Sequence, residues 1–164
     1  NTRPTYLKMV LDQGYWPEST ITPPSDDAIQ YDIKMMIEMG FNGARKHQKL
    51  EDPRFLYWAD KMGFLVSSEM ANAYLYDEDY AARFTREWIE AVERDVNHPS
   101  IVMWIPINES WGVSDMSDPR QAAHLKALYQ LTKSLDATRP VFAPPGKKPN
   151  KPNEGSPVDP NAAT

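Results

Sequence analysis

The sequence contains no cysteine. That absence excludes a disulfide framework and thiolate metal ligands, and it leaves the redox compartment open. Glycine is scarce, 7 in 164 residues, and no G-x-G-x-x-G or G-x-x-x-x-G-K-[ST] follows any apolar run, so phosphate-cradling loops lose support. No apolar run approaches the roughly 18 residues that a membrane span needs. Basic clusters never exceed a few residues, and the net charge is -5 with a pI near 5.2. This balance argues against nucleic acid or anionic lipid as a partner and favours a small or neutral one. The chain opens on Asn1 with no charged n-region or apolar h-region. Any leader or upstream domain is therefore expected to have been removed or never included, and the localisation is not fixed.

What is present is a globular composition, with 41% apolar and 11% aromatic residues, enough for one domain with a core. The organising stretch is NHPSIVMWIPINESWG, Asn97 to Gly112. Ser100 to Ile107 carries no helical stripe, is too short for a globular helix and is rich in β-branched residues. It reads as a strand buried on both faces, ending in Asn108-Glu109. In parallel α/β proteins the carboxyl ends of strands open onto the loops that line a cleft.

The remaining elements repeat one unit. Thr5 to Leu11 reads as a first strand, followed by the turn Asp12-Gln13-Gly14-Tyr15-Trp16-Pro17. Ser25 caps a helix with Asp26 and Asp27 in its first turn, Ile29, Ile33, Met36 and Ile37 as its stripe, and Gly40 as its stop. Phe41 to Lys46 is extended and ends at His47. Asp52-Pro53 starts a helix facing inward through Leu56, Ala59 and Met62, and Gly63 closes it. Phe64-Leu65-Val66 begins a strand ending at Glu69. Asp77 to Asp95 is a helix with Tyr80, Phe84, Trp88, Ala91 and Val92 on one face. After the Asn-Glu strand, Asp118-Pro119 opens a last helix striped by Ala122, Leu125, Leu128, Tyr129 and Leu135, and Arg139 to Ala143 begins a further strand.

Four strand-helix units in succession imply parallel strands with right-handed crossovers. An open doubly wound sheet and a piece of an eight-fold barrel both fit, and the absent phosphate loops favour the barrel. From Pro144 the composition changes: PPGKKPNKPNEGSPVDPNAAT has six Pro and no aromatic residue, a segment expected to be disordered or PPII-like. The reading therefore divides the chain into residues 1–143 and a tail, 144–164. A half barrel leaves edge strands unpaired, and these are expected to be covered by the other half of the barrel or by self-association.

Glu109 is the first candidate for chemistry. Beside Trp104, Ile105, Ile107 and Trp111, a carboxyl would have its charged form disfavoured and its pKa raised toward the range of a general acid. It reads equally as a surface carboxylate capping the next helix. Asn108 can hydrogen-bond a substrate hydroxyl or satisfy backbone at a turn. His47 ends a strand, as Glu109 does, so both are expected on one rim, in a binding or a purely loop-stabilising role. Glu69 completes a trio with them that can in principle hold a divalent cation, but no H-E-x-x-H spacing supports a metal. Trp16, Tyr74 and Trp111 fall in loops at the same rim, where flat rings either stack on an apolar sugar face or a ligand ring or pack in the core. His98 belongs to the turn at the opposite end of its strand, and His124 to a helix, without an evident role.

Three stretches, LDQGYWPEST, SDDAIQYDIKMMIEMGFNGARKHQKLEDPRFLYWADKMGFLVSSEM and FTREWIEAVERDVNHPSIVMWIPINESWG, followed by YQLTKSLDATRPV, resemble the catalytic barrel of family 2 glycoside hydrolases. The resemblance runs in order from about Tyr6 to Val141. It implies an α/β fold, a partial (β/α)8 TIM barrel of about four strand-helix units plus the start of a fifth strand. It also implies a β-linked saccharide substrate; neither a cofactor nor a metal is expected from the residues. By resemblance Glu109 is the general acid/base, Asn108 contacts the sugar 2-hydroxyl, His47 contacts substrate, and Asp12, Trp16 and Trp111 line the sugar site. The family's nucleophilic Glu comes from a later strand. Here Arg139-Pro140-Val141 leads into the Pro-rich tail, whose Glu154 follows no strand, so the chain reads as a fragment of a β-galactosidase-like enzyme without its nucleophile. It is expected to be inactive in isolation, or a non-catalytic sugar-binding remnant.

Overall fold

A computed structural model describes residues 4–142. Its elements alternate strictly: β1 (Met9–Asp12), α1 (Asp26–Glu38), β2 (Gly43–Lys46), α2 (Pro53–Met62), β3 (Leu65–Glu69), α3 (Glu78–Asp95), β4 (Ile101–Ile105) and α4 (Pro119–Leu135). The four strands form one sheet in the order β1-β2-β3-β4, and every pairing is parallel. Four consecutive parallel units are half of the eight in a TIM barrel.

Local chemistry sets the helix boundaries. The side chains of Ser25, Asp52, Asp77 and Asp118 each accept a first-turn backbone N–H, and Pro53 and Pro119 open their helices. A proline at the first helical position gives up no hydrogen bond. Gly63 ends α2 at φ 70°, a left-handed cap that glycine adopts without a Cβ penalty. The core lies between sheet and helices. At its centre the rings of Trp88 (α3) and Trp104 (β4) meet edge to face, with centroids 5.9 Å apart. Both indole N–H groups are satisfied, Trp88 by Thr132 Oγ1 and Trp104 by Asp136 Oδ2, each at 2.8 Å. These two bonds tie α3 and β4 to α4 and to the turn after it.

Several expected boundaries move. The first strand begins at Met9 rather than Thr5: β2 starts at Gly43, and ahead of the ladder the two segments are linked by the bond from Asn42 N–H to Lys8 O at 3.0 Å. The Asn42 side chain holds the preceding segment as well, through Lys8 N and Tyr6 O. β4 stops at Ile105 rather than Ile107, since Pro106 has no N–H to give to the ladder. Ile37 and Tyr129, both assigned to apolar stripes, are 39% exposed. They sit at the edges of their stripes, and on α4 the buried face holds Leu125 and Leu128 of the expected stripe together with Gln121, His124 and Thr132. His124, without an evident role in the sequence, is buried among the rings of Tyr76, Tyr80 and Phe84. Burial lowers its pKa.

Among the described residues the fifth strand is represented by its start. Trp104 N–H donates to Pro140 O at 3.1 Å and Phe142 N–H to Trp104 O at 2.8 Å, a parallel bridge on the outer edge of β4. Ala143 and the Pro-rich segment 144–164 lie outside the described residues. Among the described residues no helix is long and apolar enough to cross a membrane.

Candidate functional site

The register decides which side chains meet. Arg45 pairs with Ser67 across β2 and β3, so the two-residue period of a strand puts Arg45, His47 and Glu69 on one face and Ala44 and Lys46 on the other. On the first face Arg45 bridges two groups. Its Nε donates to Glu69 Oε2 at 2.7 Å and its Nη2 to Asn108 Oδ1 at 2.6 Å. Glu69 is fully buried. Its other oxygen accepts the Gln48 N–H at 2.9 Å and lies 3.1 Å from His47 Nδ1, too poorly aligned there to count as a hydrogen bond. The chain thus joins the ends of β2, β3 and β4 in one polar network.

The segment after β4 is held from a second direction. Asn72, in the loop following β3, accepts the Asn108 N–H at 2.8 Å and donates to Pro106 O at 3.1 Å. Asn108 is 1% exposed, and with Oδ1 taken by Arg45 its Nδ2 is left without a protein partner. Beyond it the backbone turns sharply, with Glu109 at φ 51° and Ser110 at φ 84°, conformations uncommon for residues with a Cβ. Gly112 ends the turn at φ 75°, where an added Cβ would stand 2.3 Å from Tyr80 Oη. Only glycine fits there. Burial raises the Tyr80 phenol to about 12.

Glu109 itself is exposed, so the apolar wall expected around its carboxyl does not enclose it; the buried neighbours Ile107 and Trp104 point into the core. Trp111 is 39% exposed and stands edge-on to Tyr74, with centroids 5.1 Å apart.

Asp12 and Trp16, expected to line a sugar site, have partners of their own in the structure. Asp12 Oδ2 lies 2.5 Å from the buried Lys46 ammonium, and Oδ1 accepts the Gly14 N–H at 2.7 Å. Lys46 also reaches Glu51 Oε2 at 2.6 Å and covers the Phe55 ring at 4.0 Å. This cluster faces the helices rather than Asn108. Asp32 of α1 stands in its field: burial first, then the negative charges of Asp12 and Glu51, raise its pKa. Trp16 is half-buried and pairs with Thr20 through backbone bonds.

A groove of about 630 Å³ opens over the loops after β1, β2 and β3. His47 lines it, as do Tyr15 and Tyr74, whereas Asn108, Glu109 and Trp111 do not. Among the described residues no group of three or more His, Asp or Glu side chains is arranged to hold a metal ion; Glu69, a member of the trio considered for one, is engaged by Arg45 and Gln48.

Arg45, Asn72 and Tyr15 were not identified from sequence. Arg45 was accessible, because it lies two residues before His47 on the same strand face. Nothing in the loop sequence Ala71-Asn72-Ala73 signals the reach of Asn72 across to β4.

Parallel strands in chain order, each followed by a helix and with polar side chains gathered at the carboxyl ends, define a TIM-type barrel segment. The family model for glycosyl hydrolases family 2, TIM barrel domain, matches residues 24–148, and the chain belongs to that family. A β-galactosidase of Pseudoalteromonas haloplanktis is 30% identical over 151 residues, covering 86% of this chain and 14% of that protein. One from Psychromonas ingrahamii is 34% identical over 134 residues, covering 73% and 12%. A family 2 β-galacturonidase from Eisenbergiella tayi, solved with galacturonate bound, superposes with a TM-score of 0.71 at 26% identity, covering 82% of this chain and 24% of that one. The chain thus spans about a seventh of the length of the first of these relatives.

Proposed function

We propose that residues 4–142 form the acid/base half of a retaining β-glycosidase site, acting on β-linked, galactoside-like saccharides. Glu109 is the general acid that protonates the departing glycosidic oxygen and then, as a carboxylate, the base that activates water against the glycosyl-enzyme ester. Asn108 donates to a sugar hydroxyl, and His47 and Trp111 flank the sugar. Asp12 and Trp16 support the loop after β1 rather than touching the substrate. The nucleophile, which retaining chemistry places roughly 5 to 5.5 Å from the acid/base, belongs to a strand beyond β4. Those further strands, or a second copy of the chain, cover the open edges of the sheet.

The observation that carries this reading is the Asn108 side chain: buried, fixed through Oδ1 by Arg45, and left with an unpartnered Nδ2 next in sequence to an exposed carboxylate. A buried amide without a partner loses free energy that a substrate hydroxyl would restore. The test is hydrolysis of aryl β-glycosides by the purified chain. Little or no turnover is expected; rates like those of whole family enzymes, abolished by Glu109→Gln, would overturn the assignment of the nucleophile to a further strand.

A further inference from the structure

We propose that Asn72, in the loop after β3, is a positioning residue for the acid/base: it holds the chain beyond β4 in the left-handed turn from which Glu109 projects. This rests on the glycosidase reading above and adds to it a residue that acts on the carboxylate through the backbone, without touching substrate.

The turn needs outside support. Glu109 and Ser110 follow one another at φ 51° and 84°, and residues with a Cβ persist in such conformations where the surroundings over-determine them. Within the turn, Trp111 N–H donates to Asn108 O at 2.9 Å and Val113 N–H to Ser110 O at 3.0 Å. Neither bond fixes the direction in which the chain leaves β4. Pro106 has no N–H with which to extend the ladder, and here Asn72 takes over. Its Nδ2 donates to Pro106 O at 3.1 Å and its Oδ1 accepts the Asn108 N–H at 2.8 Å, so one side chain spans the residue between them and sets the entry to the turn.

Asn72 is itself placed from β4. Two residues earlier, buried Met70 donates its N–H to Ile105 O at 3.1 Å, and one residue later Ala73 packs on the core. The loop is thereby registered on the strand whose end it holds. At the exit of the turn Tyr80 of α3 leaves no room for a Cβ at Gly112, and the fully buried Ile107 and Val113 flank the segment. Between these fixed points Asn108 and Ser110 are buried and Glu109 is exposed. Any relaxation of the turn therefore moves the carboxylate, and a displacement of about 1 Å at a reacting group costs about 10²-fold in rate.

The full chain, ¹⁵N-labelled, is compared with Asn72→Ala and Asn72→Asp by NMR in conditions where each is folded. The readout is the Overhauser effect between the amide proton and Hα within Glu109 and within Ser110, which is strong only at positive φ. A residue that merely adds stability leaves it unchanged in the folded state. Asn72→Ala is expected to lose the strong effect at both residues, and Asn72→Asp, which keeps the acceptor for Asn108 N–H, to retain it. Asn72→Ser, too short to reach Asn108, is expected to match the alanine variant and replaces it should that variant not fold. Positive φ kept at Glu109 without the Asn72 acceptor, or lost in Asn72→Asp, would overturn the proposal. Titration of the unsubstituted chain with methyl β-D-galactoside, followed at the Asn108 side-chain amide, tests the glycosidase reading separately: a shift supports it, whereas silence there would overturn that reading and leave the hold of Asn72 on the turn to be decided by the Overhauser effects.

Discussion

Truncating Asn72 to alanine removes the one side chain that holds the Asn108 segment from the loop after β3. Two hydrogen bonds go with it, the 2.8 Å bond from Asn108 N–H and the 3.1 Å bond to Pro106 O, each contributing about 1 kcal/mol net. The Asn108 N–H belongs to a residue only 1% exposed, and leaving it unpaired adds a desolvation penalty of about 1–3 kcal/mol. Asn72 is itself half-buried, so water reaches part of the gap and the lower end applies. Asn72→Ala is therefore expected to destabilise the chain by about 3 kcal/mol in urea unfolding, and to lower hydrogen-exchange protection at the amides of Asn108 and Trp111. Asn72→Asp keeps the acceptor and loses the donor, and should recover the Asn108 bond and its desolvation penalty, about 2 kcal/mol of that loss. A change of less than about 0.5 kcal/mol in Asn72→Ala, within the range of ordinary surface substitutions, with Asn108 protection intact, would refute the clamp.

Acid sensitivity should centre on Asp136. Burial opposes its ionisation, but bonds from Thr138, Trp104 and Arg139 outweigh burial and hold its carboxyl well below the usual range. Its stabilisation is thus present above about pH 4 and lost as pH falls below that. Asp136→Asn should flatten this dependence and cost about 2–4 kcal/mol at pH 7, because Arg139 and the Trp104 indole lose their shared acceptor; unchanged acid unfolding would contradict it. At His124 the folded-state pKa is depressed by burial, so the unfolded chain takes up the proton first and stability declines as pH falls through about 6.5. His124→Phe should abolish that decline and raise stability by about 1 kcal/mol by removing the unpaired Nε2; a parallel pH profile in both proteins would count against it.

The alternation of strands and helices was legible because its signals are local. Caps such as Ser25 and Asp52-Pro53, the left-handed Gly63 and the aromatic stripe of α3 act within one or two turns of chain. Of the candidate site, the placement of Asn108, Glu109 and His47 at or beyond strand ends was legible. Its wiring was not. Asn72 reaches Asn108 across 36 residues and Arg45 across 63, and such meetings are set by sheet register rather than by spacing. The partners of Asp12 were hidden for the same reason: its pairing opposite Lys46 follows from the register of β1 and β2. Trp16 and Tyr15 are neighbours in one turn, and which of the two rings faces the groove follows from the Trp16–Thr20 bridge, a feature with no signature in composition.

The central claim is that Glu109 is the acid/base, and it is tested most directly in a whole enzyme. The matching segment of the Pseudoalteromonas haloplanktis β-galactosidase is replaced by residues 4–142, with and without Glu109→Gln, and turnover of lactose is compared with turnover of a dinitrophenyl β-galactoside. A dinitrophenolate departs without protonation, whereas the sugar leaving group of lactose needs a proton. The account predicts that Glu109→Gln lowers kcat/KM for lactose by about 10²- to 10⁴-fold and for the dinitrophenyl substrate far less. Equal losses on both substrates, or none on either, would contradict it.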